Sequence, residues 1–400
     1  MSRITTIIAT LLFSQLTQAD EFDIRGYLGI EQRVFFEDAV VDGKTQYQSS
    51  INAEPELYWA WDRDNSVTFK PYFRLDSADS ERTHGDVREL MYLHVNDGWE
   101  LRAGIGKVFW GVTETVHLVD VINQNDTVEA IDGEDKLGQP MVQLSLLKDW
   151  GVLDLFVLPG FRERIFPGRD GRLAGQVPIN QDAAQYESDE GQNHIDFAAN
   201  WRYMFDDVDV SLNWFNGTSR EPYLLLNESP EVGPEGELIP FYPQITQFGA
   251  VAQYVYQDWL WKLESVNRAG DFIDDHNAIV GGFEYTLVGL AGSYLDLGLI
   301  AEYAWDERGA DSFQVVAQND ISVAARLTFN DIDSSELLLG FTQDLDRSGS
   351  LALFAEGSTR IGESGSLNID VWLFSADDLS DPVYAYRSDD FLQISYQYYF

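Results

Sequence analysis

Leu392-Gln393-Ile394-Ser395-Tyr396-Gln397-Tyr398-Tyr399-Phe400 ends the chain. In an extended segment Leu392, Ile394, Tyr396, Tyr398 and Phe400 point one way, and Gln393, Ser395 and Gln397 the other. Successive strand side chains alternate between faces, so this stretch carries one apolar and one polar face. The same period of two recurs upstream. Ile195, Phe197, Ala199, Trp201 and Tyr203 alternate with Asp196, Ala198, Asn200 and Arg202. Val208, Val210, Leu212 and Trp214 do so with Asp209, Ser211 and Asn213, and Ile321, Val323, Ala325, Leu327 and Phe329 with Ser322, Ala324, Arg326 and Thr328. From Phe22 onward the chain reads as a series of strands of roughly ten residues, an all-β protein.

A soluble sandwich alternates too, and two features favour a transmembrane antiparallel β-barrel instead. Aromatic residues gather at the ends of the apolar rows (Tyr58, Trp59 and Trp61; Trp259 and Trp261; Tyr396, Tyr398 and Phe400), where interfacial girdles belong. Short and long connections also alternate. The predicted tight turns are Asp62–Asn65, Asn96–Gly98, Lys148–Gly151, Asp206-Asp207, Gln257-Asp258, Asn330–Ser334 and Gly362–Gly365. Between them lie Val112–Pro140, Phe161–Asn193, Arg220–Gln244, Gly270–Asn277, Asp306–Gln318 and Ala376–Ser388. The count is about eighteen strands, with sixteen as the alternative because Gly281–Gly298 is hard to parse. Both ends then lie at the short-turn rim.

The other bulk features agree. Arg3, the apolar run Ile4–Phe13 and Thr17-Gln18-Ala19 read as a secretory signal peptide over residues 1–19, leaving 20–400 as the barrel. No later segment supplies the roughly 20 apolar residues of a membrane-spanning helix. An exported chain without cysteine needs no disulfides, which suits a barrel whose strands satisfy one another all the way round. A net charge of −41 excludes nucleic acid as a partner.

The most informative insertion is Val112–Pro140, which follows the fifth predicted strand, Leu101–Trp110. It carries Glu114, Asp120, Asp126, Glu129, Asp132, Glu134 and Asp135 against one base, Lys136. It also holds an apolar run, Val116–Ile122, with His117 and Asp120 inside it. A solvated loop has no use for such a run, so the loop is expected to fold into the barrel and pack against its wall.

The signal segment, the even-stranded barrel, the long third loop and the terminal strand together resemble bacterial porins. That resemblance implies the bacterial outer membrane as location, outer-membrane lipid and lipopolysaccharide as surroundings, and small hydrophilic solutes or ions as cargo. It also implies that Ile394, Tyr396, Tyr398 and Phe400 are read by the barrel-assembly machinery. Gly106-Lys-Val-Phe-Trp-Gly111 with Asp120-Val-Ile-Asn123 is similar to segments of alginate-export-like and uncharacterised barrels. In porins the third loop sets carboxylates opposite a ladder of basic wall residues. Here Glu114, His117, Asp120, Asp126, Glu129 and Asp132 are the candidate constriction residues. Lys70, Arg74, Arg88, Arg102, Arg202, Lys262 and Arg326 are the candidate ladder. A charge facing lipid at mid-membrane costs about 2–4 kcal/mol, so these bases are expected to face the lumen. The competing expectation is local pairing with Glu56, Glu264 and Glu302.

Other chemistry finds little support. His194, two residues before Asp196 and near Asp189 and Glu190, offers the one Asp–His pair that a rim hydrolase would use, and no Ser/His constellation accompanies it, so no enzyme is expected. No Cys or paired-His metal motif exists. Asp271, Asp274 and Asp275, or Asp377, Asp378 and Asp381, are loop clusters able to take Ca²⁺. Gly168-Arg169-Asp170-Gly171-Arg172 is no phosphate loop, but with Arg162 and Arg164 it forms a basic stretch facing either the acidic third loop, an anionic solute or lipopolysaccharide. Tyr72, Phe215 and Trp372 are candidate lumen aromatics for stacking on sugar rings. Passive diffusion of small solutes through a size- and charge-filtering lumen is therefore the expected function. An oligosaccharide channel, or a plugged barrel with a structural or adhesive role, is the alternative.

Overall fold

The computed structural model describes residues 20–228, 234, 236–310, 315 and 317–400; the predicted signal peptide, 1–19, lies outside the described residues. The strands are β1 (Glu21–Phe35), β2 (Tyr47–Ala60), β3 (Asn65–Asp76), β4 (Gly85–Asn96), β5 (Trp99–Gly106), β6 (Gln139–Lys148), β7 (Gly151–Pro159), β8 (Gln185–Tyr186), β9 (Ile195–Phe205), β10 (Val208–Thr218) and β11 (Tyr223–Leu226). They continue with β12 (Leu238–Tyr242), β13 (Gln244–Tyr256), β14 (Trp259–Ala269), β15 (His276–Leu287), β16 (Asp296–Asp306), β17 (Asn319–Thr328), β18 (Glu336–Asp344), β19 (Leu351–Ile361), β20 (Gly365–Ser375) and β21 (Phe391–Tyr399). Eighteen of them form one antiparallel sheet that closes on itself, while β8, β11 and β12 make a separate three-stranded sheet within the long loops.

The seam joins the first strand to the last, with Tyr27 opposite Tyr399 and Phe35 opposite Phe391. Phe400 N donates to Gly26 O at 3.0 Å and Gly26 N to Phe400 O at 3.2 Å, so no free edge is left there. Side chains sort as a membrane barrel requires. On β14, Trp261 and Leu263 are exposed outside while Lys262, Glu264, Val266 and Arg268 are buried inside. Ile30, Ile51, Phe73, Leu212, Phe248 and Ile394 continue an exposed apolar belt around the ring. A belt of this extent in water would be an aggregation surface; in lipid it is the matching face. Aromatic rings stack near the short turns, Trp61 on Tyr92, Trp201 on Tyr203 and Trp259 on Trp261.

The eighteen-strand count holds and the predicted tight turns fall between strands. Asp206 and Gln257 take left-handed φ values of 50° and 57° in two of them. Two boundaries differ from expectation. The stretch Gly281–Gly298 resolves into the end of β15, a short connection over 288–295 and the start of β16. Its glycines hid the pattern: Gly281 interrupts the outward row opposite Leu263 and Tyr303, and a Cβ on inward-facing Gly282 would stand 2.1 Å from Ala301 O, a close strand approach. The fifth strand ends at Gly106 rather than Trp110, and the third long loop, L3, spans 107–138 rather than 112–140. Asn123 causes this early departure, donating to Gly106 O and accepting from Val108 N, while Trp110 turns into the interior core.

Candidate functional site: a loop fixed across the lumen

L3 enters the barrel because its apolar run finds a wall to pack on. Val119, Val121 and Ile122 are buried with Trp110 against Met91, Met141, Phe156, Leu158, Phe215 and Val266. Each fully buried aliphatic side chain contributes about 1.5–3 kcal/mol. This core fills the lumen along the wall from β4 to β15. The loop then reaches farther. Glu264 on β14 is fully buried and accepts hydrogen bonds from Val112 N at 2.7 Å, Thr113 N at 3.0 Å and Thr113 Oγ1 at 2.7 Å. Glu302 on β16 accepts from Glu114 N at 2.8 Å, Thr115 N at 3.0 Å and Thr115 Oγ1 at 2.7 Å. Glu114 pairs with Lys262 at 2.5 Å and with Arg326 of β17 at 3.0 Å. In the ring, β17 lies opposite β5 and β6, from which L3 springs. L3 thus spans the lumen and is tied at its far end.

The returning limb is tied to the wall of β1–β4. Arg88 meets Asp126 at 2.7 Å, and Arg74 takes Glu129 through Nε and Nη2 at 3.0 and 2.6 Å while also meeting Glu31 at 3.0 Å. Tyr72 donates to the same glutamate at 2.7 Å. Arg33 donates to Glu129 O and Arg82 to Val128 O. These charges are almost fully buried and persist there because each is paired. A β-bulge in β4 helps: the register with β3 shifts between Lys70 and Pro71, which keeps both Arg88 and Glu89 on partners inside.

The predicted ladder is therefore split. Arg74, Arg88, Lys262 and Arg326 hold L3. Lys70 instead pairs with Glu56 and Glu89, Arg202 with Asp154 at 2.9 Å, and half-exposed Arg102 lies 3.9 Å from Glu100 on its own strand. The predicted partners divide likewise, since Glu56 does pair with a base whereas Glu264 and Glu302 bind loop N–H and hydroxyl groups. Within L3, Asp120 meets Lys136 at 3.0 Å, and His117 Nε2 lies 2.5 Å from Glu134. Asp132 accepts from Glu134 N and, with Asp135, lines the remaining space. Burial pushes the Asp135 carboxyl up to about 6. Arg33, Arg82 and Arg220, which hold carbonyls of L3, are not singled out by sequence reasoning, and Glu264 and Glu302 are foreseen only as partners for bases, not as anchors of the loop. Inward alternation with Glu31 marks Arg33; Arg82 and Arg220, in loops, leave no periodic signal.

That space is a cavity of about 310 Å³ between residues 129–135 and the wall running from β19 through β21 and β1 to β4. Asp132, Asp135, Glu356 and Asp370 line it together with Arg33 and Arg74, and Tyr27, Tyr72 and Trp372 supply rings. Phe215, by contrast, is sealed in the core on the other side.

Above L3 the fourth long loop, L4 (160–194), folds across the mouth. Its basic stretch is consumed internally: Arg162 binds Asp86 and Gly138 O, Arg164 binds Gln124 and Arg220 O, Arg169 pairs with Glu237, and Arg172 pairs with Asp389. Gly168 and Gly171 are small because Asp79 sits against them, accepting from Gly168 N at 2.9 Å. The His194–Asp196 pair is real at 2.8 Å, but Asp196 also receives Arg220 at 2.5 Å and Thr218 N at 3.0 Å, a structural knot. Among the described residues, the aspartates of 271–275 and 377–381 do not converge on a common point; the group of metal-ligating types that does is His84, Asp126 and Glu129.

No protein-family model and no curated protein matches the sequence. Solved structures do match in shape. Wzi of Escherichia coli, described as an outer-membrane, carbohydrate-binding β-barrel involved in group 1 capsule assembly, aligns with a TM-score of 0.52 at 8% identity, covering 93% of this chain and 84% of that one. OmpT of Vibrio cholerae gives 0.48 at 12% identity, covering 96% and 100%. A mutant porin of Rhodopseudomonas blastica gives 0.45 at 10% identity, covering 95% and 100%. At such identities the likeness concerns the fold alone. That fold, a closed eighteen-stranded barrel with a lipid-matching belt, is the outer-membrane β-barrel fold.

Proposed function

We propose that the chain is a bacterial outer-membrane channel of porin kind, passing small hydrophilic solutes along the polar side of L3. The observation that carries this is the division of the lumen: L3 packs an apolar core on one side and leaves a charged cavity on the other. In this reading the short turns and Phe400 face the periplasm, the long loops face outward, and Ile394 to Phe400 serve the assembly machinery in a membrane of lipid and lipopolysaccharide. Solutes are filtered by size beside residues 129–135 and by charge, with carboxylates outnumbering guanidinium groups around the cavity. Cations are the favoured ions. Planar-bilayer recording in a salt gradient tests it: small steps with a cation-selective reversal potential are expected, and a silent membrane rejects the channel.

A second reading is a plugged barrel that binds carbohydrate. L4 and the β8–β11–β12 sheet cross the mouth, and Trp372 and Tyr27 stand beside hydrogen-bonding carboxylates in the cavity, as sugar-binding clefts do. Wzi, by its description, binds carbohydrate in a barrel of this shape. Quenching of tryptophan emission by acidic or neutral oligosaccharides, lost in Trp372→Ala, together with zero conductance, would favour this reading over the first.

A further inference from the structure

His84 ends the loop L2 (77–84) just before β4, and its Nδ1 lies 3.2 Å from Arg82 O. A carbonyl oxygen only accepts, so Nδ1 carries the proton, and in a neutral ring Nε2 presents a bare lone pair. That lone pair faces two carboxylate oxygens of L3, Glu129 Oε1 at 3.6 Å and Asp126 Oδ2 at 3.7 Å. Both separations are beyond hydrogen-bond reach. Asp126 is fully buried; Arg88 ion-pairs with the Oδ2 that faces His84, yet neither Asp126 oxygen nor His84 Nε2 forms a hydrogen bond, while the facing Oε1 of Glu129 accepts from Arg74 Nε at 3.0 Å. An unsatisfied buried acceptor costs about 1–3 kcal/mol, more when charged. Three electron-pair donors thus point at one spot, all within 4.8 Å of one another.

We propose that His84, Asp126 and Glu129 form a binding site for a divalent transition-metal ion of the Zn²⁺ class, which clasps L2 to L3. Metal–ligand bonds of about 2.0–2.1 Å in a tetrahedron set neighbouring ligand atoms roughly 3.3 Å apart. The two separations from His84 Nε2, 3.6 and 3.7 Å, need to close by only a few tenths of an ångström, and the two carboxylate oxygens lie within 4.8 Å of each other. The surroundings are those of a metal histidine. Its other nitrogen is held by a backbone carbonyl, and the ligating carboxylates are oriented by Arg88, Arg74 and Tyr72. One imidazole with two carboxylates suits Zn²⁺ better than Ca²⁺, which takes six to eight oxygen ligands. The site lies at the crossing of L2 and the returning limb of L3 and does not depend on whether the barrel conducts.

The test uses the full-length folded protein in detergent, stripped with a chelator and titrated calorimetrically with Zn²⁺ under excess Ca²⁺ to occupy the surface carboxylates. A single equivalent of tight binding is expected, with X-ray absorption reporting mixed N/O ligation at about 2.0–2.1 Å. His84→Gln should weaken binding by about tenfold to a hundredfold while the heat-modifiable gel shift of the folded barrel is retained. His194→Gln should leave binding unchanged. No uptake by the native protein overturns the site, as does uptake that His84→Gln leaves intact.

Discussion

Glu264 shows how one side chain can hold a loop that crosses a barrel. Two backbone N–H groups and a hydroxyl converge on its Oε1, and Val119 N reaches its other oxygen at 3.3 Å. Hydrogen bonds to a charged group contribute about 1.5–3 kcal/mol each. Glu264→Ala should therefore raise amide exchange at Val112 and Thr113 at least about tenfold, with β14 unchanged; equal protection would show that packing alone holds the loop. Arg74 and Arg102 separate at the same scale. Arg74 is buried at the cavity between Glu31 and Glu129, whereas Arg102 lies away from L3 with a side chain 47% exposed. Arg74→Gln should raise cation preference in reversal-potential measurements, and Arg102→Gln should leave it unchanged. The His117–Glu134 pair brings a pH dependence. Burial opposes charge on His117, but the hydrogen bond that its Nε2–H donates to Glu134 outweighs it and holds the imidazole above its ordinary 6.5, while the same bond holds Glu134 below its ordinary 4.5. The histidine's contribution is complete below 6.5 and fades as pH rises through the raised value; the glutamate's is present above 4.5 and fades on acidification. Protection factors over 114–121 should thus be greater at about pH 6 than at about pH 8.5.

At the scale of elements, what could be read in advance follows from periodicity. Strands such as β9, β10, β17 and β21 alternate without interruption and were legible, as were turns such as Gln257-Asp258, whose backbone chemistry is local. The apolar run Val116–Ile122 announced an inward loop because burial is the physical use for it. What stayed hidden depends on distant chain segments meeting. β8, β11 and β12 are too short to show alternation, and His84 acquires meaning only when Asp126 and Glu129 arrive opposite it. The acidity of Glu264 and Glu302 suggested partners of opposite charge, and nothing local distinguishes a carboxylate that binds Lys from one that binds peptide N–H groups. L4 supplies a test here. Arg172 is 2% exposed and holds Asp389, Ser388 O and Glu37 O. Removing one partner of a buried pair costs about 3–5 kcal/mol. Arg172→Ala should make 160–194 sensitive to added protease in intact outer-membrane vesicles, where the native loop resists.

For the molecule as a whole, the seam between β1 and β21 has a kinetic meaning. Every other neighbouring pair in the wall is joined by a turn or a loop, so each can form as soon as its residues exist. The seam joins residues from opposite ends of the chain, and Phe400 itself makes the final pair of hydrogen bonds with Gly26. Until β21 is available, the sheet carries two open edges and an apolar face with no lipid to meet, the condition in which strands pair with the wrong partners. Contacts of such long sequence separation also form slowly. A chain shortened to end at Asp390 should therefore accumulate as aggregate without the compact heat-modifiable gel band, although the ends of β20 and β1 remain intact. This protein cannot complete its wall piecemeal during synthesis; it must be kept apart from its own kind until the whole chain is ready to be joined in one event.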